Sequence, residues 1–253
     1  MPTYDVLIIG GGQAGIPLAY ALAKEDLSVA LAERRDLGGS CVNFGCTPTK
    51  AAIASARVAH LARRGSEFGI EVPEVRVDFP AVIGRASDIA AASRDGLNRG
   101  MEGSENPKLI RGHARIEGRE DGAFRVRVGD ETVLARQLVV NTGTRSQVPP
   151  IDGIDSVDYI DAGNWLEATE LPARLVVIGG GYIGLEMSQF YRRMGSEVTV
   201  VAGSSGQVAG REDEDVATAL EGFLADEGVE FIHRTRAKSV RREGDEIVLT
   251  LEG

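Results

Sequence analysis

A chain of 253 residues with 43% hydrophobic residues and 32 glycines can bury one large core or two modest ones, and it is too apolar to stay disordered. Its net charge of -10 lacks the basic footprint of a nucleic-acid binder, and no apolar run approaches the ~18 residues of a membrane span. No signal peptide opens the chain, and its two cysteines are too few for a secreted disulfide scaffold, so a cytoplasmic protein with redox-active or catalytic thiols is expected.

Tyr4–Ile9 is a continuous apolar run, as in a strand buried on both faces of a parallel sheet. Gly10-Gly11-Gly12-Gln13-Ala14-Gly15 follows, then a helix over 16–24 and a second strand, Ser28–Ala32, ending in Glu33. Strand, glycine turn, helix, strand and acid, with about 20 residues from turn to acid, form a dinucleotide fingerprint. Gly10, Gly12 and Gly15 let the backbone approach a pyrophosphate, the helix N-terminus supplies N–H groups, and Glu33 can accept from ribose hydroxyls.

Both cysteines lie in the next stretch, Gly38-Gly39-Ser40-Cys41-Val42-Asn43-Phe44-Gly45-Cys46-Thr47-Pro48-Thr49-Lys50. On a regular helix, residues five apart have Cα atoms roughly 8–9 Å from each other, whereas a disulfide needs about 4.4–6.8 Å. A bridge between Cys41 and Cys46 therefore requires distorted backbone, and Asn43, Gly45 and Pro48 permit or impose it. The positive end of a helix nearby favours thiolate. Two small buried apolar residues are the other reading of the pair.

Helices are expected over 51–64, carrying a lone His60, and over 79–101. The period then shifts to two: strands over 108–116, 124–128 and 132–134 form an antiparallel meander with a turn at Gly129-Asp130, and 137–141 is a further strand ending in Thr142-Gly143. Val148-Pro149-Pro150-Ile151 is a stiff exit from a first domain, and Trp165 reads as packing. Leu175–Ile178 opens a second fingerprint, Gly179-Gly180-Gly181-Tyr182-Ile183-Gly184, followed by a helix to Met194 and a strand over 197–201. The two fingerprints align without a gap at an offset of 169 residues, Gly10 on Gly179 and Gly15 on Gly184. The fold class is α/β: two Rossmann-like dinucleotide-binding units with parallel sheets, the first with a helical insertion and an antiparallel β-meander. A helix over 211–227, a strand over 229–233 and a hairpin over 237–251 complete the chain.

The run GGSCVNFGCTPTK resembles the redox-active segment of the flavoprotein disulfide reductases with a Cys-x4-Cys pair, and its GCTPTK ending is most similar to mercuric reductase-like FAD oxidoreductases. The resemblance implies an FAD-binding domain over 1–150 and an incomplete NAD(P)-binding domain over 151–253, with the C-terminal dimerisation domain absent and a homodimer only in a longer form. FAD would contact Gly10, Gly12, Gly15, Glu33 and Ser40, the backbone of Ala114 would meet the adenine, and Thr142-Gly143 would close over the phosphates. NAD(P)H would contact Gly179, Gly181, Tyr182, Ile183 and Gly184, with Tyr182 covering the nicotinamide pocket. Lys50 matches a lysine beside the flavin N5 and Glu186 its acidic partner; Cys41 attacks the acceptor and Cys46 lies against the flavin.

The resemblance implies electrons passing from NAD(P)H through FAD to the Cys41–Cys46 pair, and on to a small-molecule or protein disulfide or a metal ion. A flavin-binding fragment without turnover of its own, or a flavin-to-quinone or oxygen reductase with incidental cysteines, stays open. No resident metal site is indicated, and a mercuric reductase would be expected to carry further cysteines. At the second fingerprint the gapless repeat sets Ala202 where the first has Glu33, and Ala202-Gly203-Ser204-Ser205-Gly206 offers neither acid nor arginine. Its serines could bond a ribose hydroxyl or a phosphate, so the expected choice between NAD and NADP is weak, with Arg211 as the alternative contact.

Overall fold

The computed structural model describes residues 1–203 and 206–253. The chain forms two compact units: Met1–Thr49 with Ala86–Ser146, and Lys50–Arg85 with Gln147–Gly253. Residues 50–85 therefore group with the second fingerprint.

In the first unit β1 (Thr3–Ile9), α1 (Gly15–Ala23) and β2 (Val29–Glu33) make the strand–helix–strand module. A six-stranded sheet runs β3-β2-β1-β6-β5-β4, with β3 at Lys108–Arg111, β4 at Ala114–Glu120, β5 at Ala123–Val128 and β6 at Glu131–Val140. Val6 and Ile8 pack against Ile16 and Ala19 of α1, while Leu7 packs with Val126, Val128 and Val133 of the meander. Both faces of β1 are buried, which is why its sequence shows no polar alternation.

The expected strands are corrected in two places. The single strand over 108–116 is two, and they lie at opposite ends of the sheet order: β3 runs parallel to β2 and β4 antiparallel to β5. The chain turns at Gly112, whose φ of 148° suits only glycine, and a Cβ there would meet the Gly129 nitrogen at 2.7 Å. Conversely, the strands expected over 132–134 and 137–141 are one. The first half of β6 pairs antiparallel with β5 and the second half parallel with β1, so one strand carries the sheet from meander to parallel core.

The second unit holds a three-stranded parallel sheet of β7 (Arg174–Ile178), β8 (Glu197–Gly203) and β9 (Val229–His233), with α5 at Tyr182–Met194 and α6 at Glu214–Asp226. A hairpin of β10 (Arg236–Glu243) and β11 (Glu246–Glu252) follows. The helix expected from Arg211 starts only at Glu214, because Asp213 is extended; Glu214 and Asp215 then fall in the first turn, where the helix dipole favours acids. The internal repeat extends to strand register: Val6 faces Val29 and Ile9 faces Ala32, as Leu175 faces Val198 and Ile178 faces Val201.

Two long helices, α3 (Cys46–Arg63) and α4 (Phe79–Glu102), begin in one unit and end in the other. Within the second unit, Phe79 packs on Phe190 and Tyr191, and Phe190 on Trp165, with ring centroids 5.0–6.2 Å apart across the cluster. Trp165 is buried, and Tyr191 is pushed up to about 12 by burial. Among the described residues no helix is long and apolar enough to cross a membrane.

Candidate functional site

The first cradle forms where β1 meets α1. Gly10 has φ 112°, and a Cβ on it would stand 2.1 Å from the Asn141 carbonyl oxygen. A Cβ on Gly15 would stand 2.0 Å from the Gly10 oxygen, so helix and strand touch backbone to backbone. Gly12 is different: the nearest atom to its Cβ position is the Gly39 Cα at 3.8 Å. The Glu33 carboxylate accepts from the Gly11 N–H at 2.8 Å and the Arg35 N–H at 2.8 Å. Asn141 donates its N–H to Ile9 and lies against Gly10, with the Thr142 nitrogen 3.4 Å from the Gly10 Cβ position; nothing lies within 4 Å of that of Gly143. Sequence reasoning took Asn141 only for the end of a strand; its contact depends on Gly10 having no side chain. Ala114 begins β4 and is half-buried.

The loop leaving β2 is stitched to this cradle by the Gly38 N–H, which donates to the Gly11 oxygen at 2.7 Å. A short helix, α2 (Gly39–Asn43), then carries Ser40 and Cys41 and stops at Phe44, whose φ of -151° is not helical. Cys46 starts α3. The break is the distortion that the Cys-x4-Cys spacing demands. Gly45 supplies it by close approach rather than by unusual φ: a Cβ on it would meet the Ser40 oxygen at 2.9 Å and the Cys41 Cα at 3.3 Å. Asn43 is no flexible joint; its amide donates to Leu37 at 3.0 Å and Gly39 at 2.9 Å and locks the short helix. Pro48 sits in the first turn of α3, where its missing N–H costs nothing.

Cys41 and Cys46 are free thiols, near enough to each other that Cys46 bears on the titration of Cys41. The backbone N–H groups of Cys46 and Thr47, at the start of α3, favour the Cys41 thiolate. They do not prevail. Burial pushes the Cys41 thiol up, the adjoining Cys46 thiol adds to it, and the net shift is above the ordinary thiol value, against the lowering expected of a helix N-terminus.

The second cradle repeats the first. Gly179 has φ 109°, and its N–H donates to Val201 at 2.9 Å as that of Gly10 donates to Ala32 at 2.8 Å. A Cβ on Gly184 would meet the Gly179 oxygen at 2.3 Å, while nothing lies within 4 Å of the Cβ position of Gly181. Tyr182 and Ile183 are exposed at the start of α5, and the Tyr182 hydroxyl bonds the Glu212 carboxylate, which pushes its pKa up. The expected hydrogen bonding by Ser204 and Ser205 lies outside the described residues.

Within the second unit the Lys50 ammonium of α3 pairs with the Glu186 carboxylate of α5. A larger polar cluster, not anticipated from the sequence, joins the same two helices to the end of α6. Arg193 donates twice to Glu227 at 2.6 Å, His60 faces the same carboxylate at 3.7 Å, and Gln189 donates to it at 2.9 Å.

A model of the pyridine nucleotide-disulphide oxidoreductases matches residues 4–253. The chain belongs to this family. It is 35% identical over 255 residues to a mercuric reductase of Streptomyces lividans, covering 99% of this chain and 53% of that protein. It is 29% identical to a dihydrolipoyl dehydrogenase of Chlamydia muridarum, covering 99% of this chain and 54% of that protein. The HOCl-induced flavoprotein disulfide reductase RclA of Escherichia coli, solved as a Cu(II) complex of a cysteine-to-serine mutant, superposes with a TM-score of 0.84 at 29% identity, over 100% of this chain and 54% of that one. The chain thus spans about half the length of the relatives it matches.

The cofactors of this oxidoreductase family are FAD and NAD(P)H, and the cradles fit dinucleotides. Neither α1 nor α5 has a capping side-chain hydrogen bond or an acid in its first turn, so N–H groups at both N-termini remain to meet an anionic group. Gly181 has open space at its Cβ position and Gly12 only the Gly39 Cα at 3.8 Å, so a pyrophosphate could approach either backbone. No cluster of metal-ligating side chains is present among the described residues.

Proposed function

We propose that the chain forms the nucleotide-binding and redox-active part of a disulfide or metal-ion reductase of this family, with Cys41 and Cys46 as its redox centre. The observation that carries the reading is the break between α2 and α3, which sets Cys41 on one short helix and Cys46 at the start of the next, with the Gly45 Cβ position 3.3 Å from the Cys41 Cα. Gly10, Gly12, Gly15, Glu33, Ser40, Ala114, Thr142 and Gly143 hold FAD; Gly179, Gly181, Tyr182, Ile183 and Gly184 hold NAD(P)H; Lys50 and Glu186 are the charged pair beside the flavin. FAD, when bound, relays the two electrons of a nicotinamide hydride to the cysteine pair.

Two electrons and two protons convert the Cys41–Cys46 disulfide to the dithiol. In the outward half-reaction the Cys41 thiolate attacks one sulfur of an acceptor disulfide, and the other sulfur leaves as a thiol with a proton. Cys46 then attacks the Cys41 sulfur, releasing the second acceptor thiol and closing the intramolecular disulfide. The N–H groups of Cys46 and Thr47 stabilise the Cys41 thiolate that begins this sequence. A metal-ion acceptor takes the same two electrons, with the thiolates as soft ligands. A cytoplasmic, reducing compartment suits such a pair. Thiol counting tests the proposal: oxidised and mildly reduced protein should differ by two thiols, and the difference should vanish in Cys41→Ser and Cys46→Ser. Equal counts in the unsubstituted protein would remove the proposal.

A further inference from the structure

The two cradles differ at the position that reads an adenosine ribose. In the first, Glu33 Oε2 lies 3.3 Å from the Cβ position of Gly11; in the second, the Ala202 methyl lies 3.4 Å from the Cβ position of Gly180. Ala202, 8% exposed, therefore stands in the place of Glu33, and the chain has not merely taken another path. The loops diverge afterwards. The Gly11 oxygen accepts from the Gly38 N–H and the Gly180 oxygen from the Ala209 N–H, both at 2.7 Å, so the second loop is longer before it returns.

A cation stands beside that longer loop. Gly203, the residue after Ala202, bridges Thr235, and the preceding Arg234 is exposed in a left-handed conformation at φ 54°. Its Nε and Cγ lie 3.3 and 3.6 Å from the Cβ position of Gly206, so the side chain lies against that residue. Arg111 ends the corresponding strand of the first unit, but it is engaged by Asn98 at 2.7 Å, Glu102 at 3.0 Å and the Arg35 oxygen at 3.0 Å. Arg234 pairs with no carboxylate among the described residues.

We propose that Arg234 selects a nucleotide phosphorylated at the 2′ position of its adenosine ribose, so that the second cradle takes NADP(H) in preference to NAD(H). This rests on the reading of that cradle as a nicotinamide dinucleotide site. A carboxylate at the end of the second strand accepts from a free 2′-hydroxyl and repels a phosphate there, whereas a guanidinium offers paired donors to the phosphate. Here the carboxylate is absent and the guanidinium is present. Arg211 is the rival; its charge acts on the Tyr182 hydroxyl at the start of α5.

Calorimetric titration of the whole chain with NADP+ and NAD+, which differ only in the 2′-phosphate, tests the assignment by affinity alone. The unsubstituted chain should bind NADP+ about tenfold more tightly, equivalent to about 1.4 kcal/mol. Arg234→Asn removes the charge with a residue that tolerates positive φ; it should bring the two affinities together by weakening NADP+ alone, and Arg234→Lys should keep part of the preference. Arg211→Asn should leave the ratio unchanged. Equal affinities in the unsubstituted chain, a ratio unmoved by Arg234→Asn, or a ratio abolished by Arg211→Asn each overturn the assignment while leaving the cradle reading intact. Binding of neither dinucleotide overturns both.

Discussion

The ammonium of Lys50 rests on the carboxylate of Glu186, 136 residues further along the chain. The two side chains are 58% and 42% exposed, and a pair this wet contributes only about 0–1 kcal/mol to stability. Lys50→Met and Glu186→Gln should each lower unfolding free energy by less than about 1 kcal/mol. On the proposed function, both should slow reduction of the cysteine pair by NAD(P)H at least about tenfold, a barrier increase near 1.4 kcal/mol. Denaturant melts beside single-turnover thiol release measure the two effects. A large stability loss with unchanged turnover would make the pair structural.

Gly45 is where the thiol pair is most sensitive to a single carbon. Its N–H donates to the Ser40 oxygen at 2.6 Å, and an added Cβ would come within 2.9 Å of that same oxygen. Gly45→Ala should cost about 1–3 kcal/mol, the usual range for overpacking. It should also slow closure of the Cys41–Cys46 disulfide by driving α2 and α3 apart. A thermal melt and an oxidation time course check the two halves separately.

Cys41 should alkylate more slowly than an ordinary exposed thiol near pH 8, because burial and the adjoining thiol hold its pKa up and leave less thiolate. Cys46→Ala removes one of these causes and keeps the two backbone donors, so the midpoint of the iodoacetamide pH profile should move to lower pH. A midpoint that stays or rises would mean the Cys46 thiol does not hold Cys41 protonated.

Glu33 has a structural duty as well as the ribose contact proposed for it, since its two oxygens accept from Gly11 and Arg35. Glu33→Ala should weaken FAD binding by about 1–3 kcal/mol, the range for a stranded polar partner. Glu33→Gln, which keeps one acceptor oxygen, should lose less. Flavin fluorescence titration reads both, and an affinity untouched by either change would leave Glu33 as a tie for the loop alone.

The parts of this fold legible in the sequence are those where one local pattern had one physical meaning. Glycine at Gly10 and Gly179 could serve only a tight turn under a helix, and both cradles follow with the same register. The spacing of Cys41 and Cys46 required broken backbone, and α2 stops at Phe44. What stayed hidden depended on distant partners. The separation of β3 from β4 turns on Gly112 meeting Gly129, and β6 is continuous because β5 and β1 pair with its two halves. Likewise the Arg193–Glu227–His60 cluster draws on three helices, so a lone histidine on α3 gave no sign of it.

That cluster sets a pH dependence whose sign can be worked out. Burial holds His60 below its ordinary 6.5; the charge of Glu227 opposes this, and Arg193, Arg64 and Arg63 reinforce it. Burial alone would raise Glu227, but the hydrogen bonds and charge of Arg193, with His60 and Gln189, bring it below its ordinary 4.5. Both groups therefore bind protons more readily in the unfolded chain than in the folded one. Their contributions are complete above the unfolded values and are lost as pH falls toward the folded ones. Thermal stability should thus decline in two stages, the first beginning below about pH 6.5 and the second below about pH 4.5. His60→Gln keeps a polar side chain that does not titrate, and it should flatten the first stage and reduce the second only in part, since Arg193 outweighs His60 among the causes that lower Glu227. Arg193→Gln strands a carboxylate that is 15% exposed, so it should lower the melting temperature at neutral pH and shrink the second stage. Melting curves at half-unit pH steps suffice to see both, and a first stage of equal size in His60→Gln would assign it to another group.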